Sequence, residues 1–297
     1  MSANTPTIRV ATVKADGVNV FFRAAGSFDA PTVVLLHGFP SSSHMFRNLI
    51  PILATRYRVI APDLPGFGFT TVPEERNYQY TFANLTQTFT AFVDALSLTR
   101  FAVYIFDYGA PTAFRFALER PDAIAAIISQ NGNAYEAGLG QPFWSQIQKL
   151  WIPEGARKED REALRGLLEL GATQWQYQNG SPHPDDIPPE AYYLDQALMD
   201  RPGNKDVQLD LFESYGSNVA LYPRFQKYLR SSRVPVLTAW GKADEIFVPA
   251  GAEAFKKDVK TLETHWLDAG HFALETNETQ VAEWIFGFFD KYRVFAA

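Results

Sequence analysis

The chain contains no cysteine, which excludes disulfides, thiol nucleophiles and thiolate metal sites at the outset. It also has no excess of positive charge. Twenty-seven lysines and arginines against 33 aspartates and glutamates give a formal net charge of −6, with no basic block anywhere. That balance disfavours nucleic acid or an anionic membrane surface as a partner. No apolar run is long enough to span a bilayer. The opening "MSANTPTIRV" has neither the basic start nor the apolar stretch of a secretory signal. The expectation is a soluble, cytoplasmic protein with no nucleic-acid or membrane partner. No glycine-rich phosphate loop and no His/carboxylate cluster at metal spacing occurs, so no cofactor and no metal are expected.

What is present is the material of a large core. The 297 residues permit one large domain or two. A hydrophobic share of 46% beside 20% charged residues is the balance of an ordinary globular protein. The 24 phenylalanines, 13 tyrosines and 6 tryptophans point to an apolar pocket, or simply to core.

The first part alternates strand and helix patterns. "TVVLLHG", "YRVIAPD", "FAVYIF" and "AIAAIIS" are short continuous apolar runs of the kind buried on both faces of a parallel sheet. "VNVFFRAAG" also reads as a strand, and "SSSHMFRNLIPILATR" has helical spacing. Phe82, Leu85, Phe89, Phe92, Val93 and Leu96 line one helical stripe. "PTAFRFALERP" is a helix with Pro111 in its first turn. From about Asn133 to Tyr222 no buried strand appears; the pattern is helical and loop-like. Strands resume with "VPVLTAWG" and "TLETHWLD". The expected organisation is one α/β core, residues 1–132 and 223–297, with a helical insertion at 133–222.

Ligands of an open parallel sheet bind beyond the carboxyl ends of the strands. Four motifs sit at such ends: "HGFP" (37–40), "FDYGAP" (106–111), "WGKADEIF" (240–247) and "DAGHFALE" (268–275). The strand, sharp turn and helix around Asp107 form a nucleophile elbow, and the order acid, acid, histidine parallels Ser…Asp/Glu…His. On these motifs the chain resembles the α/β-hydrolase superfamily, in the branch holding epoxide hydrolases and haloalkane and fluoroacetate dehalogenases, where aspartate replaces serine. The resemblance runs from "TVVLLHGFP" to "GHFALE". It implies a mostly parallel eight-stranded sheet flanked by helices, with a helical lid inserted after the sixth strand.

Aspartate in place of serine has a chemical meaning. A serine alkylated at saturated carbon is an ether that water does not readily cleave, whereas an alkylated carboxylate is an ester with a carbonyl that water attacks. Asp107 is thus the candidate nucleophile, kept ionised with help from the helix that begins near Gly109. The resemblance implies His271 as the base for water, Asp244 as the acid that orients it, and the backbone N–H groups of Phe39 and Tyr108 as the oxyanion hole. Pro40 is a candidate cis residue. Glu136, after the sixth strand, is a rival for Asp244. His37 belongs to the "HGFP" turn, and His44, His183 and His265 read as surface or structural. The serines at 41–43 begin a helix and occupy no elbow.

The leaving group divides the expectations. Tyr108 stands where common haloalkane dehalogenases carry a halide-binding tryptophan, and Phe39 where many have asparagine. Tyr108 and Pro111 stand where fluoroacetate enzymes have arginines. Tyr215 falls where the second lid tyrosine of epoxide hydrolases is expected, and Trp144 where the first would be. Ile105, in a place where epoxide hydrolases usually keep glycine, is dehalogenase-like. The reading is opening of a small apolar epoxide with water, with Trp144 and Tyr215 at the leaving group. The alternatives are carbon–halogen hydrolysis and a non-catalytic binding pocket. Phe143, Trp151, Trp175, Tyr177, Tyr192 and Tyr193 are further lid aromatics.

Overall fold

A computed structural model describes residues 6–152 and 156–296. Eight strands form one sheet in the order β1-β2-β4-β3-β5-β6-β7-β8. They are β1 (Arg9–Ala15), β2 (Val18–Ala25), β3 (Thr32–Leu36), β4 (Arg58–Pro62), β5 (Phe101–Phe106), β6 (Ile124–Gln130), β7 (Val236–Gly241) and β8 (Leu262–Leu267). β2 pairs antiparallel with β1 and with β4, and the remaining pairs are parallel. This is the α/β-hydrolase architecture.

The continuous apolar runs have a simple cause. Val34, Leu36, Val103 and Ile105 enter one hydrophobic cluster. Their neighbours Val33, Leu35, Ala102, Tyr104 and Phe106 enter the other. Side chains alternate faces along a strand, so both faces of the sheet are covered and neither can be polar. Helices supply the covers: α1 (Leu49–Leu53), α2 (Phe82–Ala95) and α3 (Gly109–Glu119) in the first half. The "SSSHMFRNLIPILATR" stretch is less regular than one helix. Ser42 caps a 3₁₀ turn over Ser43–Phe46 by accepting from the His44 N–H, and α1 follows separately.

Between β6 and β7 the described residues hold helices and no strand. They are α4 (Phe143–Ile147), α5 (Lys158–Ala163), α6 (Leu170–Gln178), α7 (Pro189–Met199), α8 (Asn204–Ser214), α9 (Gly216–Val219) and α10 (Tyr222–Ser232). α10 lies back on α3, with Phe225 stacked on Phe114 at 5.3 Å. The segment joins both cores. Trp144, Phe212 and Tyr215 belong to one cluster and Tyr177, Ile187 and Tyr192 to the other. The chain closes with α11 (Ala250–Ala254) and α12 (Leu274–Lys291).

Strand β1 is the element that the pattern of residues did not announce. Its side chains are mostly exposed, so it carries no apolar run. Its signal is the turn instead: Asp16 and Gly17 both take positive φ, 54° and 75°, as a two-residue hairpin between right-twisted strands requires.

The sharpest local constraint lies after β5. Asp107 takes a φ of 45°, in the left-handed region that a non-glycine residue rarely enters. A Cβ on Gly109 would lie 2.3 Å from the Leu36 carbonyl oxygen, and one on Gly38 2.2 Å from Asp107 Oδ1. The elbow therefore closes only because two glycines let β3 and its loop approach it. Gly109→Ala meets backbone that cannot move aside. It is expected to cost stability at the upper end of the ~1–3 kcal/mol typical of overpacking. A fall in the urea midpoint checks this, and an unchanged midpoint contradicts it.

Candidate active site

Asp107 is buried at the tip of β5. Its Oδ1 accepts the Phe39 backbone N–H at 2.6 Å, and the Tyr108 backbone N–H also donates to the carboxylate. The two donors expected to form an oxyanion hole thus face the carboxylate of the elbow residue. The Phe39–Pro40 peptide is cis. Oδ2 lies 3.9 Å from His271 Nε2, a nitrogen with no hydrogen-bond partner among the described residues. Burial pushes the Asp107 pKa up, and the His271 charge and the two N–H groups hold it down; the balance is about 6. At neutral pH the carboxylate is mostly ionised.

His271 is fixed from behind. Its Nδ1 lies 2.8 Å from Asp244 Oδ2, and its carbonyl accepts from Gln130 Nε2 at 2.8 Å. Asp244 in turn is held on all sides. Oδ1 accepts the N–H groups of Ile246 and Phe247 at 2.7 and 3.1 Å, and Oδ2 accepts Asn131 Nδ2 at 2.5 Å. Held through both oxygens, this carboxylate cannot rotate away from the imidazole. Burial lowers the His271 pKa, but the Asp244 charge, its hydrogen bond and the Asp107 charge outweigh it, and the net shift is upward. Glu136 is exposed, at the start of the turn Glu136–Gly138; the acid on the imidazole is Asp244.

Gln130 and Asn131 were not singled out from the sequence. Their signal was the polar "SQNGN" that ends the apolar run of β6. Both are completely buried, Asn131 at a positive φ of 52°. Beyond Asp244, Asn131 also accepts the Gly241 N–H at 3.2 Å. It ties the end of β6 to the end of β7.

The aromatic residues of 133–222 divide by what their polar tips do. The Trp144 ring packs 4.5 Å from Tyr215, but its indole N–H donates to the Ile246 carbonyl at 2.8 Å. This corrects its expected part as a leaving-group donor: the proton is committed to backbone, and only the ring face remains. Trp151 likewise donates to the Phe212 carbonyl at 2.8 Å. Tyr215 is buried, with its hydroxyl 3.2 Å from that of Tyr222, which receives a longer contact of 3.4 Å from Asn133 Nδ2. Burial, the neighbouring phenol and the Asp107 charge all raise the Tyr215 pKa, so it stays a protonated phenol. Asp107 acts on Tyr222 in the same sense. Tyr222, read from the sequence only as the last residue of the insertion, opens α10, and no local pattern announces its contact with Tyr215. The Tyr108 hydroxyl is buried without a partner among the described residues. Trp175 and Tyr193 are partly exposed.

The remaining histidines lie elsewhere. His37 Nε2 accepts the Leu64 N–H at 2.9 Å, and Nδ1 lies 3.1 Å from the Gly38 carbonyl; it braces the loop that carries Phe39. His265 stacks on Trp284 at 4.4 Å. Among the described residues no group of three or more His, Asp or Glu is placed to hold a metal. Nor is any helix among them long and apolar enough to cross a membrane.

The geometry sets a titration. Followed by carboxyl carbon NMR, Asp107 is expected to lose its proton near pH 6, against about 3.9 for a free aspartate. His271→Gln removes a cation that favours the ionised form, so the midpoint should rise further. An unchanged or lowered midpoint contradicts the coupling.

Residues 31–278 match the family described as the alpha/beta hydrolase fold. An uncharacterized hydrolase of Saccharomyces cerevisiae is 50% identical over 275 residues, 92% of this chain and 94% of that one. A haloalkane dehalogenase of Psychrobacter cryohalolentis is 34% identical over 137 residues, 44% of this chain and 45% of its own. Among solved structures, a haloalkane dehalogenase of Agrobacterium tumefaciens C58 superposes with a TM-score of 0.79, covering 96% of this chain and 97% of that one. At 22% identity the likeness is one of fold. By sequence and by architecture, the chain belongs to the alpha/beta hydrolase fold family.

Proposed function

We propose that the protein is a hydrolase that forms a covalent ester on Asp107, with residues 133–222 as a helical cap, and that its substrate is a small apolar epoxide. The choice of epoxide rests on one observation. The buried, hydrogen-bonded phenols of Tyr215 and Tyr222 both feel the Asp107 charge, while the indole N–H of Trp144 is used by Ile246. An opening epoxide needs a proton donor, and a phenol is one where an indole is not.

In the first step a carboxylate oxygen of Asp107 attacks an epoxide carbon and the ring C–O bond breaks. The new alkoxide takes the Tyr215 proton, leaving a phenolate beside the Tyr222 hydroxyl. Esterification removes the negative charge of Asp107, and with it one of the influences that raise the His271 pKa. The imidazole is thereby readied as a base at the stage that needs one. In the second step His271 Nε2 takes a proton from water and the hydroxide adds to the ester carbonyl. The Phe39 and Tyr108 N–H groups receive the oxyanion. Collapse expels the diol, whose oxygen takes the carboxyl proton, and Asp107 is again a carboxylate. The imidazolium proton returns to the Tyr215 phenolate, so the sum is epoxide plus water to diol.

A second reading is displacement of halide from a haloalkane. It is supported by the haloalkane dehalogenase relative and by the unpartnered Tyr108 hydroxyl, a donor suited to a departing anion. A binding-only pocket is the third, and the mutual arrangement of Asp107, Asp244 and His271 argues against it, because retention of a ligand has no use for a base.

His271→Gln is expected to trap the ester. Incubated with styrene oxide, the variant should gain the mass of one epoxide on the Asp107 peptide, whereas 1-bromobutane should give no adduct and no bromide. A bromobutane-derived butyl adduct with no styrene oxide adduct reverses the order of the two reactions, and no adduct with either sinks the covalent reading. Tyr215→Phe should slow ester formation from the epoxide by about a hundredfold, the low end for general acid catalysis. An unchanged rate removes Tyr215 from that role.

A further inference from the structure

The end of α6 reaches three of the loops that carry the site. The Tyr177 ring stacks on Phe272, next in sequence to His271, at 3.8 Å and 15°. The Tyr177 hydroxyl donates to Asp195 Oδ2 on α7 at 2.5 Å and lies 3.4 Å from Ser41 Oγ, just past Phe39 and Pro40. Two residues on, the turn at Asn179 and Gly180 lies flush against the acid and histidine loops. A Cβ on Gly180 would come within 2.7 Å of Ala243, and one on Gly270 within 1.8 Å of the Asn179 carbonyl oxygen. Ala243 precedes Asp244, and Gly270 precedes His271.

This contact is built, not incidental. Tyr177, Asp195, Ser41 and Phe272 are all buried, and Asp195 Oδ1 has no partner among the described residues. A carboxyl group so placed is tolerated because burial holds it in its neutral form, with a pKa of about 8. Phe272 also packs edge-on with Phe106, at 5.1 Å, and Phe106 lies 4.6 Å from the His271 ring. Phe272 is thus clamped between a strand residue of the core and a cap tyrosine whose far end is pinned. The histidine loop is thus held both by Tyr177, through Phe272, and by Gln130, through the His271 carbonyl.

We propose that Tyr177 is a positioning residue for His271: anchored by Asp195, its ring presses Phe272 against the core and so keeps the imidazole aligned on Asp244 and on the incoming water. This rests on His271 being the base of the ester-cleaving step. It assigns to the cap a part in the second half-reaction, beyond covering the substrate. Ester formation calls on Asp107 and the phenols, which Tyr177 does not touch. Ester hydrolysis calls on the imidazole. Tyr177 should therefore act on one step and not on the other.

The test uses Tyr177→Leu and Tyr177→Phe in the full chain, with Phe272→Leu breaking the same stack from the core side should the first variant fail to fold. Styrene oxide is the probe, and formation and decay of the adduct are followed by intact mass. Tyr177→Leu should leave formation within about threefold and slow decay by one to two orders of magnitude, the scale on which a misplacement near 1 Å acts. Tyr177→Phe keeps the ring and should restore most of the decay rate. Equal slowing of both steps, or of neither, overturns the proposal. A second readout needs no substrate. The His271 Nδ1 proton, identified by its loss in His271→Gln, should give a downfield proton NMR signal that persists in Tyr177→Phe and broadens or moves in Tyr177→Leu. If no variant forms an adduct, the covalent reading fails while this signal still decides the positioning claim, and an identical signal in Tyr177→Leu refutes it.

Discussion

The structure around the site depends on how closely the loop after β3 approaches the elbow after β5. The Phe39 N–H reaches Asp107 Oδ1 at 2.6 Å, and that distance is available only where Gly38 and Gly109 present no side chain. Two adjacent parallel strands, β3 and β5, hold the loops in register, and the aspartate accepts a left-handed backbone as the consequence. Strain of this kind, roughly 1–3 kcal/mol for a non-glycine residue, persists only where the surroundings over-determine it. Here the surroundings are two glycines, a buried sheet on both faces and a helix starting at once.

The electrostatics follow from that enclosure. A carboxylate in a dry site is unfavourable, so the Asp107 pKa rises, yet the same burial strengthens its attraction to His271. The pair is linked, and the charge on one sets the readiness of the other. A serine at the elbow would lack this property, since it carries no charge to lose. In the proposed reaction, aspartate makes the charge of the attacking group a signal to the base, while Asp244, held by four donors, keeps the imidazole in place.

Most of the sheet and the positions of Asp107, Asp244 and His271 were legible because they follow from two strong rules. Strands buried on both faces must be continuously apolar, and reacting groups of a parallel sheet gather past the strand ends. β1 escaped because an edge strand exposed to solvent needs no apolar run. Trp144 was named for its N–H, and a sequence does not say which carbonyl an indole will find; Ile246 took it. Gln130 and Asn131 were invisible for a related reason, and so were the contacts of Tyr222 and Tyr177. Each acts through a contact far away in the chain, between Asn131 and Asp244 or between Tyr177 and Phe272, and no local pattern marks such a residue. The loops that gather Asp107, Asp244 and His271 were readable, and the tertiary contacts that hold those loops still were not.

The central claim is that the Asp107 carboxylate bonds to substrate carbon and is released by water. A single turnover of styrene oxide with excess enzyme in ¹⁸O-water tests it most directly. The account predicts that the heavy oxygen enters the Asp107 side chain, read by mass spectrometry of its peptide, and that the first diol formed carries none. Diol carrying the label, with Asp107 left unlabelled, would mean that water attacks the substrate itself and that no ester forms.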